Sequence, residues 1–464
     1  MENMKKLMLL AAAVMVSFTA SAEGYQVNNF SSRQNGMAQT GTAMKLGSES
    51  LWFNPAAVAM QSMQFDLSVG VTGIASTVDF TSGDYATTTD NKLSTPLHFY
   101  ASYKPVDWFA FGVAFNTPHG SSLDWGDGWA GAHMCQTISL KQFNLQPTVS
   151  FRLAKNFSIG AGLMVTWGNF EMSKSLLGVG GMTNAFIEQM SGMPGLAQMI
   201  GNNPLASITL GGDAKIGVGF NVGAFWDISE KWSLGATYRH SIKMKVEEGA
   251  ASLTYIPNAQ LAPIVEAMLA EKTGLSPQVL AASTIRTELP TPGVVTLGAS
   301  FRPTAKWEVA ADLQYNLWSS YNELRMYLVT PAGEKELTND VIAKKDYKNS
   351  FAARLGAQWH ALNWMSVRAG IYFDESPVKE GMLSPETPSM SKLAYTAGLT
   401  FKPAECFAID LAYGYVSPIE GSRTDSAQYV DMISQLMGEN PVKSFGGTYK
   451  ATAHTFSIGA RLSF

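Results

Sequence analysis

The sequence predicts an all-β transmembrane protein, a single antiparallel β-barrel of fourteen strands, on three observations. Charged residues make up only 15% of the chain, whereas aromatic residues reach 11% and glycines number 42. Beyond the N-terminus, no stretch approaches the roughly 20 apolar residues that a membrane-spanning helix needs. Apolar residues also recur at every second position, which is the period of a β-strand. A closed barrel is the arrangement without helices that pairs every backbone polar group inside a bilayer.

The N-terminus is predicted to be a secretory signal peptide, residues 1–22. Lys5 and Lys6 precede an apolar run over residues 7–18, and small residues end the segment. The apolar run is too short to span a membrane. The mature chain is therefore expected to fold outside the cytoplasm.

The last residues of the chain show the alternation well. Phe456, Ile458 and Leu462 alternate with serine, glycine and arginine, and residues 216–226 repeat the pattern with glycine and asparagine. In a membrane barrel, the apolar members face lipid and the small or polar members face a wet lumen. A soluble β-sandwich alternates too, but a lumen wall better explains the arginine or aspartate found in many strands.

Segments of this kind predict fourteen strands, and the spacing between them is informative. The predicted strands are 63–80, 94–105, 107–118, 136–153, 156–174, 213–229, 231–249, 285–303, 306–329, 345–360, 363–377, 390–402, 405–418 and 449–464. Every second connection is tight, as in LAKNF and HALNW, and the others include long stretches such as 175–212 and 250–284. Short turns on one side and long loops on the other are typical of the periplasmic and outer sides of such barrels.

Three of the long outer loops are predicted to contain amphipathic helices, at Met182 to Ile208, Leu261 to Ala282 and Tyr429 to Met437. Two interpretations remain open. Either the helices pack on one another as a cap, or they present an exposed apolar groove as a low-affinity landing site for a hydrophobic solute. Methionine suits the second role because its flexible thioether adapts to varied shapes. The residues expected in such a groove are Phe186, Met190, Met193, Met199, Ile264 and Met268.

Four stretches carry a family resemblance. They are EGYQVNNFSSRQNGMAQTG at residues 23–41, NPA at 54–56, YNLWSSYNEL at 315–324 and GIYFDESPV at 370–378. With them, the chain from residue 23 to 464 resembles the FadL/TodX-type outer-membrane transporters of long-chain fatty acids and hydrocarbons. The resemblance implies a multi-pass β-barrel in the cell outer membrane that passively takes up hydrophobic compounds, foremost long-chain fatty acids.

The resemblance also implies that residues 23–62 fold into the lumen as a hatch and that residues 63–464 form the barrel. The NPA motif, Asn54, Pro55 and Ala56, would lie in this hatch. The residue types agree, since an apolar segment broken by proline suits a barrel interior lined with hydrogen-bond donors better than water. The alternative, a disordered periplasmic tail, conflicts with the large apolar side chains around the motif.

The third predicted strand ends in FNTPHG, which includes Asn116, Pro118 and Gly120. A proline inside a strand removes a ladder donor and is confined to edges or bulges, and the alternative is that Pro118 begins the loop. By resemblance, this strand is kinked and leaves a gap in the wall, through which a hydrophobic ligand exits laterally into outer-membrane lipid. Such a route keeps the ligand out of water, which is worth about 0.8 kcal/mol for each buried methylene.

The resemblance further implies a lumenal pocket that combines apolar side chains with basic residues. Tyr25 matches the N-terminal aromatic residue of the family's pocket, and Phe170 and Tyr321 are expected to line it. Lys174 and Arg325 match the basic positions and would hold a carboxylate by charge-assisted hydrogen bonds. Lys174 has the inward parity of its strand, whereas Arg325 shares parity with lipid-facing residues and needs a bulge to turn inward. Alternatively, each is a solvated charge at the barrel rim.

No pattern in the sequence predicts catalysis. We find no nucleophile motif G-x-S-x-G, no cluster with metal-ligand spacing and no phosphate-binding loop, so neither a cofactor nor a metal is expected. The formal charge of −4 argues against a nucleic-acid partner. We therefore expect a monomeric channel whose ligand is a long-chain fatty acid or another hydrophobic small molecule. The alternatives are a porin-like barrel and an adhesin or structural barrel that transports no hydrophobic ligand.

Overall fold

Fourteen antiparallel strands form one closed ring, because the first strand pairs with the last along most of its length. This confirms the predicted fold class. The structure is a computed structural model that describes residues 24–330, 333–338, 343–431, 433–434 and 439–464. The predicted signal peptide and Glu23 lie outside the described residues.

The ring strands are numbered in chain order, and three of them consist of two pieces. They are β1 (Phe65–Ser82), β2 (Leu97–Val106), β3 (Phe109–Asp124), β4 (Thr137–Ala154), β5 (Phe157–Ser175), β6 (Ala206–Asp227), β7 (Trp232–Arg239 and Lys243–Tyr255), β8 (Thr284–Pro290 and Gly293–Thr304), β9 (Trp307–Leu317 and Met326–Thr330), β10 (Ser350–Leu362), β11 (Met365–Asp374), β12 (Lys392–Ala404), β13 (Phe407–Pro418) and β14 (Val442–Ser463). Short strands at Tyr85–Thr88, Gly333–Glu336 and Arg423–Val430 pair with the outer ends of β1, β9 and β14.

Helices occur in the outer loops and in the N-terminal segment. The outer-loop helices are Gly181–Ser191, Leu196–Ile200, Leu261–Thr273 and Pro277–Ala281. The N-terminal segment contains the α-helices Ser32–Asn35 and Ser50–Phe53 and the 3-10 helices Gly47–Glu49 and Pro55–Met60, and a further 3-10 helix, Trp318–Ser320, interrupts β9. No helix among the described residues is long and apolar enough to cross a membrane.

The tight turns fall on one side of the ring and the long loops on the other, as predicted. Turns of two to four residues close five hairpins from β2–β3 to β12–β13 together with the β6–β7 connection. Several strands extend further outward than predicted, since β6 begins at Ala206 and β14 at Val442. The third predicted helix is wrong at its start, because Tyr429 and Val430 pair with β14 as part of a strand. Residues 435–437 of that prediction lie outside the described residues.

The outward-facing residues form an apolar band that ends at an aromatic belt. Along β5 the outward side chains are apolar up to Trp167, beyond which Asn169 and Glu171 are exposed polar residues. Trp167 lies 6.0 Å from the ring of Phe115 on β3 and 6.1 Å from that of Phe143 on β4. Aromatic belts of this kind mark the membrane interface of barrels. The outer ends of the strands therefore extend above the apolar band.

Residues 24–62, which we call the N-terminal segment, lie against the inner faces of the strands. Asp312 of β9 accepts hydrogen bonds from the backbone N–H and hydroxyl of Thr42, at 3.1 and 3.0 Å. The carbonyl oxygen of Ala56 accepts from the hydroxyls of Ser150 and Ser158, at 2.9 and 2.8 Å. Inward polar side chains of the wall thus satisfy backbone groups that the N-terminal segment does not pair internally.

The Asn-Pro-Ala motif forms the start of one short helix within this segment. Asn54 caps the helix Pro55–Met60 by accepting from the Ala56 N–H at 3.1 Å. Pro55 occupies the first helical position, where its missing N–H would be unpaired in any residue. The Asn54 amide also donates to the carbonyl oxygens of Thr42 and Ala224, at 2.7 and 3.0 Å. The Asn54 side chain therefore caps the helix Pro55–Met60 and bonds it both to the chain at Thr42 and to the barrel wall at Ala224.

Glycines line the inner wall where the N-terminal segment touches it. A Cβ on Gly235 would lie 1.9 Å from the Thr42 oxygen, and one on Gly160 would lie 2.4 Å from the Pro55 carbonyl carbon. Such contacts are possible only for bare backbone. Four directly opposed cross-strand pairs belong to this set, which we call the glycine girdle: Gly70 with Gly459, Gly160 with Gly223, Gly235 with Gly298, and Gly356 with Gly370. The girdle lets the segment approach strands on opposite sides of the ring.

We expect Gly235→Ala to destabilise the protein by about 1–3 kcal/mol, because the added methyl group overpacks the contact with Thr42. The measurement is the temperature at which the folded barrel converts to the unfolded band in a heat-modifiability gel. Gly73→Ala is the matched control, since its Cβ would lie no closer than 3.6 Å to any atom. Equal midpoints for the two variants would contradict a wedged N-terminal segment.

Candidate functional site

A large group of buried apolar side chains, which we call the upper cluster, fills the outer part of the barrel interior. It is built from the outer ends of the strands and from loops that turn inward. Its aromatic members are Tyr25, Phe80, Trp125, Trp129, Phe170, Trp318, Tyr321, Tyr347 and Tyr449. A separate lower cluster joins the N-terminal segment to the wall around Trp52 and Leu51. The upper cluster is thus separate from the lower cluster, and from the N-terminal segment it includes Tyr25.

Tyr25 connects the start of the N-terminal segment to the upper cluster. Its ring packs edge-on against Trp318 at 5.1 Å and against Tyr321 at 5.9 Å. Its hydroxyl donates to the carbonyl oxygen of Pro290, the last residue before the break in β8. Phe170 belongs to the same cluster. The three aromatic residues expected from the sequence are therefore brought into one buried cluster.

The two predicted cations are placed differently. Lys174 lies at the outer end of β5 on the same face as Phe170, and its ammonium group makes no hydrogen bond or ion pair with any residue that the structure describes. Arg325 forms ion pairs with Glu323 at 2.9 Å and with Glu336 at 2.6 Å. Its neighbours on either side point into the upper cluster, so Arg325 itself faces the outer side, despite the interruption of β9 at Trp318–Ser320.

Two charged residues that sequence reasoning missed lie inside the upper cluster region. Lys345, which precedes β10, forms an ion pair with Glu386 of the loop between β11 and β12. Both occur in polar stretches, AKKDYKN and SPETPS, that read as exposed loop. The placement depends on how two long loops fold back into the barrel mouth, for which the sequence offers no periodic pattern. Within the described residues, no cluster with metal-binding composition occurs.

The wall between β2 and β3 is interrupted near the edge of the apolar band. The β2–β3 ladder ends at the pair His98 and Asn116, whereas β3 runs on to Asp124. The chain before β2 turns instead to β1, where Ile74 donates to the Ser94 oxygen at 2.7 Å. Further outward, the chain before β2 contacts β3 again, because the Asp90 N–H donates to the Asp124 carbonyl oxygen at 2.8 Å. We call the stretch between these contacts the window.

The proline of β3 lies inside this strand and not at the start of a loop, so the alternative interpretation of the sequence is wrong. Pro118 falls where the β3–β4 register shifts, between Asn116 and His119. A bulge tolerates proline because the regular ladder is already disrupted there.

The start of the N-terminal segment occupies the window. Val27 donates to the Pro118 oxygen at 2.9 Å, and Gly120 donates to the Tyr25 oxygen at 2.8 Å. These two bonds flank an isolated antiparallel bridge between Gln26 and His119. The N-terminal residues thus replace β2 as the partner of β3. Behind them lies a cavity of only about 10 Å³, the space of one water molecule.

The outer-loop helices form a third apolar cluster that reaches the upper cluster. Leu176, which follows β5, packs against buried members of both. Ile187, Val265 and Leu269 are buried between the helices. The six residues expected in an outer groove divide into Phe186 and Met268, which pack on this cluster, and four exposed residues: Met190, Met193, Met199 and Ile264. The helices therefore pack together, as the first interpretation expects, and still expose methionine; the landing site itself stays a prediction.

Comparison with known proteins gives a consistent match. Residues 13–464 match the family model described as outer membrane protein transport protein (OMPP1/FadL/TodX). The chain is 26% identical over 426 residues to the long-chain fatty acid transport protein of Escherichia coli O6:H1, covering 88% of this chain and 90% of that protein. It is 24% identical over 422 residues to the long-chain fatty acid transport protein of Salmonella typhi, again covering 88% and 90%.

Solved structures show the same fold. A FadL homologue from Pseudomonas aeruginosa matches with a TM-score of 0.74 at 18% identity, covering 95% of this chain and 100% of that chain. The toluene transporter TodX of P. putida matches with a TM-score of 0.65 at 15% identity, covering 94% and 99%.

We expect Gln26→Cys and His119→Cys to form a disulfide when combined in a Cys135→Ala, Cys406→Ser background. Flanking hydrogen bonds define Gln26 and His119 as a non-hydrogen-bonded antiparallel pair, for which Cα atoms lie about 4.5 Å apart, within disulfide range. Mass spectrometry of the oxidised protein measures the cross-linked peptide. Gln26→Cys with Ser122→Cys is the control that should stay reduced, and equal cross-linking of the two pairs would contradict the observed register.

Proposed function

The chain belongs to the outer membrane transport protein family OMPP1/FadL/TodX, and on this premise we propose that it takes up hydrophobic compounds, foremost long-chain fatty acids. It is a β-barrel transport protein of the outer membrane and not an enzyme. One observation carries the proposal: apolar side chains follow one another from the outer helices through Leu176 and the upper cluster to Tyr25 at the window.

Capture begins on the outer helices. Met190 and Met199 are exposed over about two-thirds of their surfaces, 64% and 65%, and Ile264 over 41%. Exposed apolar side chains on the outer face offer a weak and adaptable binding surface. An acyl chain that reaches the upper cluster leaves water behind, which is worth about 0.8 kcal/mol for each methylene. Transfer inward is therefore downhill without an energy source.

Exit is proposed to be lateral, through the window between β2 and β3. The residues Tyr25 to Val27 close it by two backbone hydrogen bonds to β3, and the packing of Tyr25 in the upper cluster adds to this closure. Their withdrawal would leave an opening at the outer edge of the apolar band. Leu93, in the chain that turns from the window to β1, is 61% exposed and lies against the outer face of β1 at Gly73. A hydrophobic ligand passing here would meet lipid without crossing the N-terminal segment.

The N-terminal segment is proposed to act as the hatch that keeps polar solutes from crossing. Its backbone is hydrogen-bonded to the wall at Asp312, Ser150 and Ser158, and the glycine girdle places it in direct contact with the strands. A segment held in this way suits a permanent closure of the lumen. The domain division at residues 62 and 63 remains a prediction, as does the monomeric state.

Lys174 favours an acid over a neutral hydrocarbon as the ligand. The names of relatives include both long-chain fatty acid and toluene transporters. Lys174 faces the upper cluster, and its ammonium group has no hydrogen-bond or ion-pair partner among the described residues. A carboxylate would supply that partner, whereas a hydrocarbon would leave an ammonium group desolvated beside it. Arg325 is left out of the proposed site because two glutamates already neutralise it.

The window route predicts that the Gln26→Cys, His119→Cys disulfide blocks uptake. Fluorescent fatty acid entry into proteoliposomes or cells should fall to background in the oxidised protein, because the N-terminal residues can no longer leave β3. Reduction should restore entry. The single Gln26→Cys variant, treated identically, is the control. Undiminished entry through the locked protein would overturn lateral exit at this window.

The acid preference predicts that Lys174→Met weakens oleate binding about tenfold, the usual worth of a charge-assisted hydrogen bond. Binding of oleyl alcohol, which has the same chain and no charge, should change little. Tryptophan fluorescence titration of the purified protein measures both. Arg325→Met should leave oleate binding near wild type. A larger loss with Arg325→Met than with Lys174→Met would overturn this assignment.

A further inference from the structure

A buried ion pair joins two outer loops beside the upper cluster. The Lys345 ammonium pairs with the Glu386 carboxylate, and their side chains expose only 10% and 11% of their surfaces. Removing two charges from water carries a large desolvation cost, which their attraction offsets only with good geometry and further hydrogen bonds. Two loops could be joined at lower cost by apolar contacts, so the pair calls for another explanation.

The loop that carries Glu386 is held inward by contacts that do not involve Glu386. Arg423 donates to the carbonyl oxygens of Val378 and Lys379, at 3.0 and 2.9 Å. The Trp125 indole donates to the oxygen of Pro385 at 3.0 Å. Val378, Leu383 and Met390 of the same loop belong to the upper cluster. The position of the loop is therefore fixed without the ion pair.

Lys174 is the third charge at this place. Its ammonium group interacts electrostatically with both Glu386 and Lys345 and makes no hydrogen bond or ion pair with any described residue. Among the described groups that interact with Lys174, Glu386 is the one carboxylate, so two cations share it and one positive charge is in excess there. In apolar surroundings such an excess favours the entry of one further anion.

Buried hydrogen-bond donors without an acceptor in the upper cluster also favour the entry of an oxygen-bearing ligand. The hydroxyl of Tyr449, which interacts electrostatically with Glu386, is fully buried and has no hydrogen-bond partner within the described protein. The indole N–H of Trp318, next to Tyr25, is likewise buried and unpaired. A buried donor without an acceptor is costly, and an oxygen-bearing ligand would relieve that cost.

We propose that Glu386 is an internal counter-anion, which occupies part of the ligand's head-group site at Lys345 and Lys174 and competes there with the ligand's carboxylate. The inference rests on the proposed function and extends it to the class of head group. One excess positive charge suits one monoanionic head group on an apolar tail. A second negative charge would meet the carboxylate of Glu386 at close range and be repelled.

Competition between Glu386 and the ligand's carboxylate would help a transporter release its ligand. A site with two uncompensated cations in an apolar cluster would hold a fatty-acid anion tightly and release it slowly. Conduction requires binding that is favourable enough for entry and weak enough for departure. When the ligand leaves, Glu386 is already in place to neutralise Lys345, so the empty site does not retain two unpaired cations.

The test is Glu386→Gln, which keeps the shape of the side chain and removes its charge. Oleate and oleyl alcohol are titrated into purified full-length protein in detergent. Oleate affinity should rise about tenfold or more, because the competing anion is gone, and oleyl alcohol affinity should stay the same. In Lys345→Met/Glu386→Gln, which has no charge at the pair, oleate affinity should fall below that of Glu386→Gln.

The control is Glu375→Gln, because Glu375 and Lys348 form an exposed ion pair between the same two loops, at 2.6 Å. It should leave both affinities unchanged. If Glu386→Gln changes oleate and oleyl alcohol alike, or neither, Glu386 is a structural group and the inference fails while the proposed function stands. If the wild type binds neither ligand, the proposed function fails and this inference fails with it.

Discussion

The hydrocarbon of a bilayer offers no hydrogen-bond partner, and the architecture of this protein depends on that constraint. A closed ring satisfies the backbone, so each interruption of the ring needs a substitute. Where β7 and β8 both break, Thr291 bonds through its hydroxyl to the N–H and the C=O of Ile242, at 3.1 and 2.8 Å. Where β2 leaves β3, residues 25–27 supply the missing partners. At both of these interruptions, another group of the chain completes the bonding.

The N-terminal segment accordingly has two parts with different attachments. Its body is wedged against the glycine girdle and bonded to wall residues such as Asp312 and Ser150, so removing it would expose many polar groups at once. Its first residues contact β3 through two backbone bonds and one buried aromatic ring. Local opening of the weakly attached part is far cheaper than release of the whole. On the proposed function, this contrast would let the lumen stay closed to polar solutes while the window opens.

Periodic features were predictable from the sequence, and features set by loop folding were not. The two-residue rhythm and the tight turns determine strand count and sidedness, because each is a local consequence of facing lipid on one side. The rhythm also gave Lys174 its inward face. It could not show that β3 continues past Pro118, since a bulge is compatible with the same residues as a loop. Lys345 and Glu386 come together because two long loops fold back into the barrel mouth. No local pattern in the sequence around either residue predicts this contact.

On the proposed function, Tyr25 couples ligand binding in the upper cluster to opening of the window in the barrel wall. The ring of Tyr25 belongs to the same apolar cluster that an acyl chain would enter, and its backbone oxygen pairs with Gly120 in the window. A ligand that takes the place of this ring in the cluster removes most of what holds residues 25–27 against β3, because two backbone hydrogen bonds contribute only about 1 kcal/mol each. Such a ligand binds the open arrangement better than the closed one and so shifts the population toward it. A polar solute gains nothing in the cluster and therefore leaves the window closed.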